Sequence, residues 1–155
     1  MKYSKATNYA LHTMVTLTLT AKEKSMSVES LAEMQNLSPT YLSKILTKLV
    51  KAGLIESNPG VNGGYRIAKR SQEISFLDVI YAIEGQTSLF SCSSNHNDCL
   101  IEQVMVDAEN QMKEELSKKF IVDIAHKMDR MFEVTDRAPK VMDKTFKSTD
   151  STLLK

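Results

Sequence analysis

No run of about 18 apolar residues occurs anywhere in this 155-residue chain, so no membrane-spanning helix is expected. The amino-terminal MKYSKATNYA lacks the apolar centre of a signal peptide, and a cytoplasmic location is the expectation that follows. There are only two cysteines, too few for a disulfide framework. In a reducing cytosol both are expected as thiols. No internal repeat is found. A Gly-rich phosphate loop, a nucleophile elbow and an HExxH metal motif are also missing, which makes an enzyme the least favoured class.

What is present is enough for one domain, or for a small domain with an extension. A hydrophobic fraction of 42% supports a packed core. The net charge of +1 conceals an asymmetry. Residues 1–70 carry ten Lys and Arg against four acids, a net of +6, whereas residues 71–155 carry ten against fifteen, a net of −5. A basic amino-terminal half suits a polyanionic partner.

The chain is organised around residues 37–68, LSPTYLSKILTKLVKAGLIESNPGVNGGYRIA. Ser38-Pro39 is a helix start, a polar cap followed by Pro at the first helical position. Leu42, Ile45, Leu46 and Leu49 recur at helical spacing and form one buried face. Tyr41, Lys44, Lys48 and Lys51 lie off that face, where a hydroxyl and cations can meet a polyanion. Gly53 closes the helix in the left-handed conformation. Leu54-Ile55 and Tyr65-Arg66-Ile67 then flank the Gly-rich tip NPGVNGG as a hairpin. A capped basic helix leading into such a hairpin is the pattern of a recognition helix and wing.

Around this stretch, residues 4–20 form a first helix with Ala6, Ala10, Met14, Leu17 and Ala21 on one stripe, widened by Leu11, Val15 and Leu19. TLTLT has strand propensity but helical flanks, and is assigned to the helix. The polar run at residues 22–25 ends it. Ser27 caps a second helix with Leu31 and Met34 facing inward, and Asn36 suits a left-handed residue at its end. A short turn then delivers the third helix, a helix-turn-helix arrangement. Past a polar link at residues 69–72, Ser75 caps a fourth helix ending at Gly85. From residue 101 to about 132, one long helix is expected, about 48 Å in length. Its stripe is Ile101, Met105, Ala108, Met112, Leu116, Phe120, Ile124, Met128 and Met131. Such a stripe needs a partner, most economically the same helix of a second subunit. The alternative is that it folds back on its own domain. The fold class expected is mainly α: a winged helix-turn-helix with a two-stranded wing (1–85), a cysteine-containing loop (86–99), a dimerisation helix (100–132) and a flexible tail (133–155).

YALHTMVTLT in the first helix, LSPTYLSKILTKLVKAGLIES, the Gly63-Gly64-Tyr65 triplet, and ISFLDVIYAIEG followed by a cysteine loop together resemble the Rrf-two family of bacterial winged-helix regulators. The resemblance runs from Met1 to about Phe132. It implies a homodimer that binds an imperfect inverted repeat in double-stranded DNA and usually represses transcription. By matching position, Ser38, Pro39, Thr40, Tyr41, Lys44 and Lys48 face DNA from the helix, and Asn62, Gly63, Gly64 and Tyr65 from the wing. One departure concerns the wing, where Pro59 stands in place of a common Arg. An Arg is drawn to a narrow minor groove, and Arg66 is the residue here that could compensate.

The cysteine loop departs as well. Cluster-binding members use three cysteines, whereas this chain has Cys92 and Cys99, with Val104 and Met105 where a third would fall. Asn8 stands near the position of the first-helix acid that some members use as a ligand. His96 and Glu102 are conceivable substitute ligands, but no cofactor is the expectation. Two ordinary thiols rank slightly ahead of a thiol switch at Cys92 and Cys99, and both rank ahead of a cluster. His12 and His126 fall within helical patterns and the nine methionines mainly on helix stripes, where packing accounts for them. A dimeric sequence-specific regulator is the first functional hypothesis. A winged-helix interaction adaptor that does not bind DNA is the second, with Pro59 as its main support.

Overall fold

The computed structural model describes residues 2–20, 24–68, 71–93 and 99–135. Ala21, the residue 69–70 part of the polar link, His96 and residues 136–155 of the expected tail lie outside them. Helix α1 spans Lys5–Leu19, α2 Val28–Met34 and α3 Pro39–Lys51. Strands β1 (Ile55–Asn58) and β2 (Gly64–Ile67) follow, then a 3-10 turn at Ser71–Glu73 and α4 at Phe76–Glu84. Helices α5 (Leu100–Ser117) and α6 (Ile121–Thr135) complete the order.

Serine starts four of these helices. The hydroxyls of Ser4, Ser27, Ser38 and Ser75 each accept a backbone N–H from three residues on, satisfying donors that a helix leaves orphaned. Asp78 returns the contact to the Ser75 backbone N–H, completing a capping box. Asn36 takes φ 53° between α2 and α3, and Gly53 takes φ 71° after α3. The threonine-rich segment is helical, with Thr18 and Thr20 hydroxyls donating to the Met14 and Thr16 carbonyls.

One core joins these elements. Met14 and Leu17 of α1, Leu31 of α2, Leu42, Leu46 and Leu49 of α3, Ile55 of β1 and Val79 of α4 are all at most 2% exposed. Each such side chain stabilises the fold by roughly 1.5–3 kcal/mol. Met34 does not face inward as expected; it is 38% exposed, and Ala32 takes the inner place beside Leu31. The wing strands pair antiparallel, with Glu56 opposite Arg66 and Asn58 opposite Gly64. One isolated bridge adds to this two-stranded sheet. Met26 bridges Tyr65 through N–H to carbonyl bonds of 2.9 and 2.8 Å in the two directions, tying the wing to the segment before α2.

The single helix expected over residues 101–132 is two helices. α5 ends at Ser117, and its 18 residues span only about 27 Å. Residues 118–120 then turn. The Lys119 carbonyl accepts the Phe76 N–H (2.8 Å), and Ile121 N–H donates to the Ile74 carbonyl (3.0 Å). Helix α6 packs against α1, burying Ile121 and Ala125 at 0% and 1% exposure. The cause lies in helical phase. On a continuous helix Ile121 would sit about 100° round from Phe120, so one straight helix could not both continue the Leu116–Phe120 stripe and bury Ile121. Phe120 stands half-buried at the turn and Ile124 packs against the core, so the expected stripe is interrupted after Leu116.

Candidate nucleic-acid interface

The polar side of α3 carries the residues singled out for DNA. Ser38, Pro39, Thr40, Tyr41 and Lys44 are all exposed, because Leu42, Ile45, Leu46 and Leu49 take the opposite side into the core. Lys44 makes no ion pair or hydrogen bond among the described residues. Tyr41 is held from behind. Its ring meets Tyr9 of α1 edge to face, with centroids 6.1 Å apart at 89°, a favoured aromatic geometry. Tyr9 thus belongs to the support of this surface, although nothing in the α1 periodicity distinguishes it from an ordinary packing residue.

Lys48 lies on the same helix but is differently engaged. Its ammonium donates to the Ile83 carbonyl at 3.0 Å, one of the carbonyls that the end of α4 leaves without a helical partner. The next residue, Glu84, accepts from the Ser4 backbone N–H (2.7 Å) and from the Thr7 hydroxyl at the start of α1. The Thr7 hydrogen bond is the main reason the Glu84 carboxyl is held below its ordinary pKa, with Ser4 and the Lys48 charge adding to it. Lys48, the α4 terminus and the α1 amino end form one polar chain behind the recognition helix.

The wing residues have internal work too. Arg66 Nε and Nη2 both reach Glu56 Oε2, at 3.0 and 2.8 Å, across the β1–β2 pair. The cation expected to compensate for Pro59 is therefore paired within the wing. Gly64 sits at φ 135°, where a Cβ would run into the Met26 carbonyl; Gly63 has no room for a Cβ against the Asn58 carbonyl. Both glycines are required by the backbone, whatever else they touch. Asn62 is exposed and Tyr65 is half-buried against the core.

Helix α5 presents two faces. Leu100, Ile101 and Val104 point outward at 73%, 68% and 68% exposure. Met105, Ala108, Glu109 and Met112 face Tyr3 and Leu89 around a cavity of about 340 Å³, with Ala108 at its exposed rim. Leu116, the last residue of the expected α5 stripe, is half-buried. Glu109 is buried but partnered: its carboxylate accepts from Ser88 Oγ (3.1 Å) and Leu89 N–H (3.0 Å), and pairs with Lys113 at 2.6 Å. Lys113 chiefly holds the Glu109 carboxyl below its ordinary pKa, and Glu109 raises Lys113 in return.

Cys92 and Cys99 are half-buried and form no disulfide, and Cys99 occupies the cap position of α5. His96, the substitute ligand offered by the cysteine loop, lies outside the described residues. Two thiols are available, Val104 and Met105 offer no third thiolate, and among the described residues no three His, Cys, Asp or Glu side chains converge. Nor is any helix among the described residues long and apolar enough to cross a membrane.

Comparison with known proteins places this architecture. The family described as "Rrf2: Iron-dependent Transcriptional regulator" matches residues 3–127. The HTH-type transcriptional regulator NsrR of Halalkalibacterium halodurans is 35% identical over 105 residues, 67% of this chain and 72% of that protein. The structure of CymR, the global cysteine regulator of B. subtilis, superimposes with a TM-score of 0.72 at 28% identity, covering 82% of this chain and 98% of the other. The oxidized form of Staphylococcus aureus CymR gives a TM-score of 0.69 at 30% identity over 81% of this chain and 96% of the other.

Proposed function

The chain belongs to the Rrf2 family of transcriptional regulators, and from that premise we propose that it is a cytoplasmic homodimer that represses transcription by binding an imperfect inverted repeat in double-stranded DNA. The observation that carries this reading is the exposed leading half of α3. Ser38, Thr40, Tyr41 and Lys44 stand clear of the core on a helix whose cap, aromatic brace and buried face fix its orientation. Basic residues of the first half capture the phosphate backbone, and hydroxyls and Lys44 then meet base edges and phosphates in the major groove. Two such helices read half-sites about 34–36 Å apart, which requires a two-fold partner. The outward stripe of α5, Leu100, Ile101 and Val104, is the surface proposed for that partner, with Met105, Ala108, Met112 and Leu116 flanking it.

The test is selection from random duplex DNA with the full chain. An enriched motif with two-fold symmetry supports the reading. Loss of all enrichment would instead favour a winged-helix adaptor that binds protein. A second reading concerns the signal: oxidation of Cys92 and Cys99 tunes DNA binding without a cluster. It is favoured by two accessible thiols at the edges of one loop and by likeness to a regulator solved in an oxidized form. Peroxide should then weaken or strengthen DNA binding of the wild type but not of a Cys92→Ser, Cys99→Ser double variant. Equal responses of the two proteins would dismiss it.

A further inference from the structure

We infer that Lys48 is a positioning residue for sequence recognition, not a phosphate contact, and that it acts with Glu84 by locking the recognition helix to the ends of α4 and α1. The inference rests on the DNA-binding reading above. It starts from the single partner the structure gives the Lys48 ammonium, the Ile83 carbonyl at 3.0 Å. An ammonium at the carboxy end of a helix satisfies an orphaned carbonyl and faces the negative end of the helix dipole. Lys48 is exposed along its length, but its ammonium turns back onto the protein, to a carbonyl 35 residues further along the chain.

The geometry makes this lock directional. α3 otherwise meets α4 and α1 through apolar side chains, which resist separation but tolerate small rotations about the helix axis. A hydrogen bond from the third turn of α3 to a fixed carbonyl restricts that rotation. The carbonyl is itself fixed, because Glu84 holds the amino end of α1 through Ser4 and Thr7. Tyr9, from the same α1, braces Tyr41 at the leading end of α3. α1 thus sets the recognition helix at both ends, through Tyr9–Tyr41 at one and Thr7–Glu84–Lys48 at the other. Bidentate base contacts demand such fixed orientation, whereas phosphate attraction does not.

Salt dependence separates the two roles. Each lysine on a phosphate adds about 0.9 to the slope of log affinity against log salt. Binding of the wild-type chain, Lys44→Met, Lys48→Met, Lys48→Arg and Glu84→Gln is measured on the selected duplex and on a scrambled duplex from 50 to 200 mM salt. Lys44→Met, which removes two lysines from each dimer, should flatten the slope, so that its affinity falls about 12-fold less than wild type over that range. Lys48→Met should keep the wild-type slope on both duplexes and lower the ratio of selected to scrambled affinity about tenfold. Lys48→Arg, which retains a donor, should recover most of that ratio. Glu84→Gln should show the same signature as Lys48→Met from a site on another helix. A Lys48→Met slope reduced like that of Lys44→Met would overturn the inference and make Lys48 a phosphate contact. An unchanged slope with an unchanged ratio would overturn it too. Should Lys48→Met not fold, Glu84→Gln decides the question through its ratio of selected to scrambled affinity: a fall of about tenfold at the wild-type slope supports the lock, and an unchanged ratio overturns it. A wild-type chain that selects no motif would instead refute the DNA-binding reading itself, an outcome visible before any variant is made.

Discussion

Replacing Gly64 by alanine tests whether the Gly63-Gly64 pair is kept by the fold or by DNA. Gly64 has φ 135°, a conformation in which a residue with a Cβ is strained by roughly 1–3 kcal/mol. The added Cβ would also overlap the Met26 carbonyl, forcing β2 away from the segment before α2. That shift gives up the paired Met26–Tyr65 backbone bonds of 2.9 and 2.8 Å, each with a net value of about 1 kcal/mol. The sum is about 3–5 kcal/mol, a large share of the stability of an ordinary domain. At about 2–4 °C per kcal/mol for a chain of this size, the melting midpoint should fall by roughly 6–20 °C. Thermal unfolding followed by circular dichroism without DNA reads this directly. Gly60→Ala is the control: its φ of 102° imposes strain, but nothing lies near its Cβ, so its midpoint should fall by less. A Gly64→Ala midpoint within about 2 °C of wild type would refute the argument and leave DNA contact as the reason for this glycine.

Three further outcomes are expected. Ile121→Ala should cost about 2–5 kcal/mol, because this side chain is fully buried; a loss below about 1 kcal/mol in urea unfolding would mean that α6 does not pack on α1. The depressed Glu84 pKa contributes stability that is present above the ordinary glutamate pKa and lost as pH falls through the lowered folded value. Wild type should therefore exceed Glu84→Gln in thermal stability at neutral pH, and the difference should shrink in acid; a difference independent of pH would contradict the assignment. Val104→Glu, which puts a charge on the outward face of α5, should shift sedimentation from dimer to monomer without lowering helix content. A dimer that persists would move the interface elsewhere.

Local chemistry made most of the fold legible in the sequence. Ser38-Pro39 announces α3, Gly53 ends it, and the spacing of Leu42, Ile45, Leu46 and Leu49 assigns its buried face, all within one short window. What escaped depends on contacts between distant residues or on a feature without period. The Met26–Tyr65 bridge involves a single residue on the Met26 side and so shows no alternation. The end of α5 carries no Gly or Pro, and Leu116, Phe120 and Ile124 continue the helical spacing across it; only the burial of Ile121 and Ala125 against α1 reveals the turn. Lys48 reads as a free cation because its acceptor is a backbone carbonyl 35 residues away. Arg66 reads likewise until the strand register puts Glu56 opposite it.

These internal pairings change how the basic half of the chain meets DNA. The net charge of residues 1–70 is +6, yet two of its cations are committed within the fold. Arg66 is held by both Nε and Nη2 on Glu56. That pair is partly exposed and therefore adds little stability, but it costs the wing its groove-seeking group. Lys48 is held on α4. On α3 the cation left at the leading end is Lys44, next to the hydroxyls of Ser38, Thr40 and Tyr41. A helix-turn-helix reads bases from that end of its second helix, so hydroxyl donors with one cation would carry discrimination here. Because hydroxyls bond bases without releasing counterions, their share of the affinity should persist at high salt, where the phosphate share fades. Regulation that tilts α3 by a few degrees would then cost specific binding far more than non-specific binding, because the short polar contacts at Ser38, Thr40 and Tyr41 depend on the fixed setting that α1 and α4 impose.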